Sequence, residues 1–327
     1  MRIGIRSIIA ALATLAAPLV AAGQPATPIH RIGFIGNSTP ALESNLVGPF
    51  REGLRERGYD EGRNLAIEYR WAQGDYARLP ALVAELIAAK VEVLVAAGTP
   101  AGLAVKRATT TVPMVMVAVG DPVGTGLVAS LARPGGNLTG LVSIAPDLEG
   151  KRLELLQEVA PKLSLVSVLI NPANPFTVSS AEQIRAAAQV LQLKVHFANV
   201  RVEGDLDQAF EAIARERPEG LIMVADRVFL HNRARIAAFA TRHRIPGVYA
   251  YSELVEAGGL MSFGPSYPGM HRRAAYYVDR ILRGANPADL PMEQPEKFEL
   301  IVNLKTARAF GLAVPQSLLL RADRLIR

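Results

Sequence analysis

The side chains that could do chemistry in this chain stand singly or in pairs at the ends of short apolar runs. Asn37 and Ser38 follow the run 31–36, Thr99 and Pro100 follow 92–98, and Asp121 follows 114–120. In the second half Asn171 and Asn174 follow 165–170, Asp226 and Arg227 follow 220–225, and Tyr249 and Tyr251 close the run that starts at 245. If each run is a parallel strand feeding a helix, these residues sit at helix N-termini, where free N–H groups and the positive dipole end suit an anion. Ser38 and Thr99 with those N–H groups fit a carboxylate, although helix capping explains Thr99-Pro100 at least as well. Asp121 either reaches polar groups across a cleft or only fixes an Asp-Pro turn. Asn171 can donate and accept, which suits uncharged groups, and Asn174 also fits a helix cap. Arg227 offers a planar fork for a carboxylate or pairs with Asp226, itself well placed as an N-cap. Tyr249 and Tyr251 point the same way if one strand runs through both, and would wall a pocket with a ring and a hydroxyl.

Signatures of catalysis are missing from the sequence. His30, His196, His231, His243 and His271 show no metal-ligand spacing, and neither a Gly-x-Ser-x-Gly elbow nor a phosphate-cradling loop occurs. Gly120, Gly124 and Gly126 do not follow the dinucleotide fingerprint. The chain has no cysteine, which excludes disulfides, thiol nucleophiles, cysteine-held metals and cysteine-linked lipid. The sequence therefore predicts no enzyme, no cofactor and no metal. A formal charge of +6, with Arg interspersed among Asp and Glu and only 6% aromatic residues, gives no platform for nucleic acid.

The elements that must position these residues alternate. Apolar runs at 31–37, 64–71, 92–96 and 114–117 read as strands, with helices at 43–58, 76–90 and 100–108 between them. A second series follows, with strands at 165–170, 194–199, 220–224 and 247–249 and helices up to 191, from 205 to 217, and up to 243. Asp75, Thr99, Asn174 and Asp205 stand where N-caps belong, and Gly58 and Gly284 where helices stop. The two series also echo each other in sequence. Residues 112–117 and 135–140 are repeated in kind by 245–250 and 258–264, and 31–40 by 166–175. The fold class expected is α/β, two Rossmann-like lobes with parallel sheets facing each other across a cleft.

Segments 138–143 and 260–263 leave the two lobes, and strand 298–303 with helix 304–311 needs a sheet to join. Three crossovers then form a hinge, which assigns 31–142 plus 265–292 to lobe one and 143–264 plus 293–327 to lobe two. Ahead of both, Arg2 and Arg6 precede an apolar run and the small residues Ala21-Ala22-Gly23, the layout of a signal peptide spanning 1–22. Its removal lowers the charge to +4 and predicts a soluble, exported chain that is not a lipoprotein.

The order of several motifs resembles the periplasmic substrate-binding proteins of ABC importers, in the branch that includes tryptophan- and tyrosine-type binding proteins. The residues that carry it are Phe50-Arg51-Glu52-Gly53-Leu54, Gly58-Tyr59-Asp60-Glu61-Gly62, Ile67-Glu68-Tyr69-Arg70-Trp71 and Gly98-Thr99-Pro100-Ala101. Asp121-Pro122-Val123, Arg133-Pro134-Gly135-Gly136-Asn137-Leu138-Thr139-Gly140 and Lys151-Arg152-Leu153-Glu154 continue it across essentially the whole chain after the leader. The resemblance implies a type I binding-protein fold, a monomer in the periplasm, a small polar ligand, and a permease with its ATPase as partners. It also implies that Asp226 pairs with a ligand ammonium. Where amino-acid-binding members look like Thr-Asp-Asn, this chain has Ala225-Asp226-Arg227, which admits a ligand with an extra anionic group. A sensing module for a separate signalling protein, and less so an exported α/β hydrolase, remain the alternatives. Regulators of the lac-repressor type share the architecture, but here a leader stands in place of DNA-binding helices.

Overall fold

Runs of β-branched and aliphatic residues, too apolar to leave either face in water, are buried in two separate sheets. The computed structural model describes residues 29–143 and 148–327, so the predicted signal peptide at 1–22 lies outside the described residues. The first sheet holds β1 (His30–Gly36), β2 (Leu65–Trp71), β3 (Val93–Ala97), β4 (Met114–Val119) and β5 (Leu138–Val142). Their order is β2-β1-β3-β4-β5, parallel throughout. The second sheet holds β6 (Leu165–Ile170), β7 (Lys194–Asn199), β8 (Gly220–Met223), β9 (Gly247–Tyr249), β10 (Met261–Pro265), β11 (Phe298–Asn303) and β12 (Arg324–Ile326). Its order is β12-β11-β10-β9-β8-β6-β7. Without β11 and β12, the second sheet repeats the order of the first, and both sequence echoes fall on equivalent strands. Every residue of β3, β4 and β8 is buried, as expected for central strands covered on both faces.

Helices cover these sheets. In the first half they are α1 (Ser44–Arg55), α2 (Leu79–Ala88) and α3 (Thr99–Ala108). Next come α4 (Leu148–Val159), α5 (Thr177–Val190), α6 (Leu206–Glu216), α7 (Arg227–His231) and α8 (Arg233–His243). The last are α9 (Ser252–Glu256), α10 (Tyr267–Leu282), α11 (Leu304–Phe310) and α12 (Gln316–Arg321). Leu46, Phe50 and Leu54 form the buried stripe of α1, and full burial of each such side chain contributes about 1.5–3 kcal/mol. Gly53 lets α1 and α10 touch, since a Cβ there would lie 2.5 Å from Arg272 O.

The chain passes between the sheets three times: after β5, between β10 and α10, and between Glu293 and β11. Glu293 still bridges to Leu141 in the first sheet, and α10 packs against α1 and β4. Several expectations need correction. β10 and β11 run antiparallel. The helix expected up to 243 splits at Asn232 into α7 and α8, and α5 starts at Thr177 rather than after Asn174. Gly98, with φ +81°, caps α3, leaving Thr99 inside its first turn. The short elements α9, α12 and β12 carried no periodicity long enough to be read. Among the described residues no helix is long and apolar enough to cross a membrane.

Candidate ligand-binding cavity

The C-terminal strand ends of both sheets converge on one small cleft. Asn37, Gly98, Thr99, Pro100 and Ala118 line it from the first sheet; Asn174, Asp226, Arg227 and Tyr251 line it from the second. Its volume is about 20 Å³, the room one water needs. A guest much larger than a water does not fit this arrangement of the two walls. Tyr76 and Pro100 also line an outer mouth of about 440 Å³ between the lobes.

Asp226 is the electrostatic centre. Its backbone is extended and its Oδ1 accepts from Val228 N at 3.0 Å, so it does cap α7. The same oxygen accepts from Asn171 Nδ2 at 3.0 Å and from Tyr76 Oη at 2.9 Å, while Oδ2 accepts from Asn174 Nδ2 at 2.9 Å. Burial pushes the Asp226 carboxyl up from the ordinary Asp value, and these four donors pull the other way. Burial and the adjacent Asp226 charge hold the Tyr76 hydroxyl well above its usual value, so it stays a donor.

Arg227 is 4% exposed and lies over two rings, with its guanidinium carbon 5.5 Å from the Tyr251 centroid and 5.4 Å from that of Tyr267. It forms no ion pair with Asp226, and its Nη1 is buried without a hydrogen-bond partner among the described residues. Guanidinium keeps its charge in any protein setting, so this is a live cation in a dry place. Across the lobe boundary lies Glu43, fully buried, whose Oε1 accepts from Ser38 N at 2.7 Å. Burial raises its pKa, and the Arg227 charge lowers it.

The first-sheet residues are fastened more locally. Asn37 donates its amide to Ala97 O, which leaves its Oδ1 buried and unpartnered. Thr99 Oγ1 donates to Gly120 O at 3.1 Å and accepts from Gly120 N at 2.9 Å, so its hydroxyl is spent on the strand end. In the first turn of α3 the Thr99 and Ala101 N–H groups remain available, since Pro100 has none and that of Gly102 is bonded to Gly98 O. Ala118, at φ +57°, and Ser143, whose hydroxyl donates to Ala118 O at 3.3 Å, complete that wall.

Seven of the expected residues thus come together: Asn37, Thr99, Pro100, Asn174, Asp226, Arg227 and Tyr251. Asn171 stands behind Asp226 and holds it, with its own Oδ1 accepting from Ala173 N. Ser38 does not line the cavity; its Oγ lies 2.9 Å from His231 Nδ1, a link between the lobes. Asp121 is corrected to a turn residue. At φ +40° it accepts from Gly124 N at 2.8 Å, and its carbonyl accepts from Thr125 Oγ1 at 2.7 Å. Tyr249 is corrected to a core residue. β9 ends at Tyr249, so it and Tyr251 part company, and the Tyr249 ring packs over Gly247 and Gly259. Sequence reasoning missed Tyr76, Phe176, Ser143, Tyr267 and Glu43. Of these only Tyr76, next to the correctly placed cap Asp75, carried a local signal.

A family model described as ABC transporter substrate binding protein matches residues 36–326. A protein of Clostridioides difficile (strain R20291) described as a tyrosine-binding protein is 26% identical over 274 residues, which are 84% of this chain and 78% of the relative. The crystal structure of a conserved domain protein from Vibrio cholerae O1 biovar eltor superposes with a TM-score of 0.85 at 30% identity, covering 90% of this chain and 99% of the other. An ABC domain from Streptococcus pneumoniae in complex with L-Trp gives a TM-score of 0.85 at 23% identity, over 91% of this chain and 100% of the other.

Proposed function

The chain belongs to the ABC transporter substrate-binding protein family, a family of ligand binders rather than enzymes, and from that premise we propose that it is the extracytoplasmic receptor of an importer. Its two lobes, 31–142 plus 265–292 and 143–264 plus 293–327, close on a small ligand and deliver it to a permease with its ATPase. The leader at 1–22 exports it to the periplasm, where it acts as a monomer.

The observation that carries this reading is the adjacent pair Asp226 and Arg227, buried, oppositely charged and not paired with each other. Such a site suits a ligand that itself carries both signs, an α-amino acid or a related amino carboxylate. Asp226 receives the ammonium, with help from the free amide oxygens of Asn37 and Asn174. Arg227 Nη1 and the first N–H groups of α3 receive the carboxylate. Tyr76, Phe176, Tyr251 and Tyr267 wall the space with rings, which fits an aromatic side chain or carboxylate. The names of the relatives, tyrosine-binding and bound to L-Trp, support the same class.

Closure then follows from differential affinity, because a ligand that touches both lobes stabilises the state in which both are within reach. The test is a thermal-shift screen of the amino acids and of aromatic and aliphatic carboxylates, followed by calorimetry. A ligand that binds only the native form raises its apparent stability. Binding of one amino carboxylate that disappears in Asp226→Asn is expected; tight binding that survives this change would reject the assignment.

A further inference from the structure

A second, larger space lies on the hinge side of the second sheet. Ser262 faces Ile301 across the β10–β11 pair and Gly264 faces Glu299, so these four positions share one sheet face. Small residues there, Ser262, Gly264 and Ala250, leave a groove of about 580 Å³, the size of an ordinary small-molecule site. Glu253 and Glu256 of α9 form one rim, and Glu299, Lys297, Asp323 and Arg324 the other. Asn45 of α1 and Pro268 of α10 reach in from the first lobe.

The charges do not balance. Lys297 pairs with Asp323 at 2.6 Å and Arg324 with Glu256 at 2.7 Å. Glu253 accepts two neutral donors, the Asn45 amide at 2.6 Å and the Ser252 hydroxyl at 3.2 Å, but no cation, and Glu299 has no ion pair or side-chain hydrogen bond among the described residues. Two negative charges are left over. Independently, two hydroxyls on nearly buried residues line the groove unused. Ser262 is 2% exposed and Tyr267 5%, and neither hydroxyl makes a hydrogen bond among the described residues although both residues line the space. Tyr267 also lines the inter-lobe cavity.

We propose that this groove is a second ligand site, for a small hydrophilic organic cation whose ammonium groups lie between Glu299 and Glu253 and whose remaining polar atoms meet the Ser262 and Tyr267 hydroxyls. The rim is solvated, so binding is weakened by salt. The groove shares only Tyr267 with the lining of the Asp226 cavity, and neither Asp226 nor Arg227 lines it.

Spermidine is the probe, titrated by calorimetry into the full-length mature protein at low and at physiological salt. One saturable site is expected. Glu299→Gln should weaken it about tenfold, in line with the loss of one charge-assisted contact. Ser262→Val, which fills the floor on a strand that favours β-branched residues, should remove it while the thermal midpoint is kept. Asp226→Asn should leave it unchanged, as should Glu211→Gln at an exposed position of α6. The proposal is overturned if spermidine shows no saturable heat, if Glu211→Gln weakens it as much as Glu299→Gln, or if Asp226→Asn abolishes it, which would place the cation in the inter-lobe cavity.

Discussion

Asn37 and Asn171 hold the same place in the two halves, at the end of the first strand of each sheet, and each sends its amide nitrogen toward the end of the third. In the first lobe that nitrogen meets a backbone carbonyl, Ala97 O; in the second it meets a carboxylate, Asp226 Oδ1. After the third strand of each sheet a polar residue stands at the helix start, Asp226 as the cap of α7 and Thr99 one residue past the Gly98 cap of α3. The Thr99 hydroxyl is used up by Gly120, whereas the Asp226 carboxylate gathers four donors and keeps its charge site at the cavity wall. One lobe uses polar side chains to fasten its own strand ends. The other uses them to hold ionisable groups out of water. The comparison teaches that a duplicated fold can keep its anchoring geometry in both copies while only one copy is changed at the residue being anchored.

The largest effect should come from Asp226→Ala. Removing one member of a buried, hydrogen-bonded charge contact costs about 2–5 kcal/mol, so calorimetry should show affinity for an ammonium-bearing ligand falling by roughly 30-fold or more. In the native chain the same affinity should decline on acidification, beginning at a pH above the ordinary Asp range, because burial raises the carboxyl. Arg227→Met sharpens the contrast further. It should weaken carboxylate-bearing ligands by about 1.5–3 kcal/mol and spare amines that lack the carboxylate.

A further measurement sets a buried group that stays neutral against these charged ones. His271, on α10 against Phe34, is held down to about 3 by burial and by the Arg227 charge. Below the unfolded value of 6.5 the unfolded chain takes a proton that the folded chain refuses, so stability falls with pH from about 6.5 to about 3. The slope is at most about 1.4 kcal/mol per pH unit. Urea midpoints measured across that range should flatten in His271→Gln. The smallest effect is expected of Thr99→Val, which should change ligand affinity by no more than about 0.5 kcal/mol while lowering the thermal midpoint. If it harms binding as much as Asp226→Ala, the contrast between the lobes is wrong.

The strands were legible because parallel sheets bury both faces and leave unbroken apolar runs, as at 93–97 and 165–170. Doubling was legible because the echoes lie on equivalent strands. Asp226 and Arg227 could be placed at the cavity because strand ends face the cleft and the family resemblance pointed to the same residues. Asp121 and Tyr249 could not be, because each depends on a local backbone event: a positive φ after β4, and the end of β9 at Tyr249. Tyr76, Phe176 and Glu43 were hidden for another reason. They reach the site from a 3-10 turn, a loop and the start of α1, and only the closeness of the lobes brings Tyr76 to Asp226 and Glu43 toward Arg227.

The threefold passage of the chain between its sheets also fixes the order in which the molecule can be finished. The first lobe needs α10 against α1 and β4, so its core stays open until residues near Leu282 have been made. The second needs β11 and β12, which end at Ile326. Neither lobe is a contiguous stretch of chain, so each is completed only by a segment made late. During synthesis the native packing of both lobes therefore waits on segments from the last part of the chain.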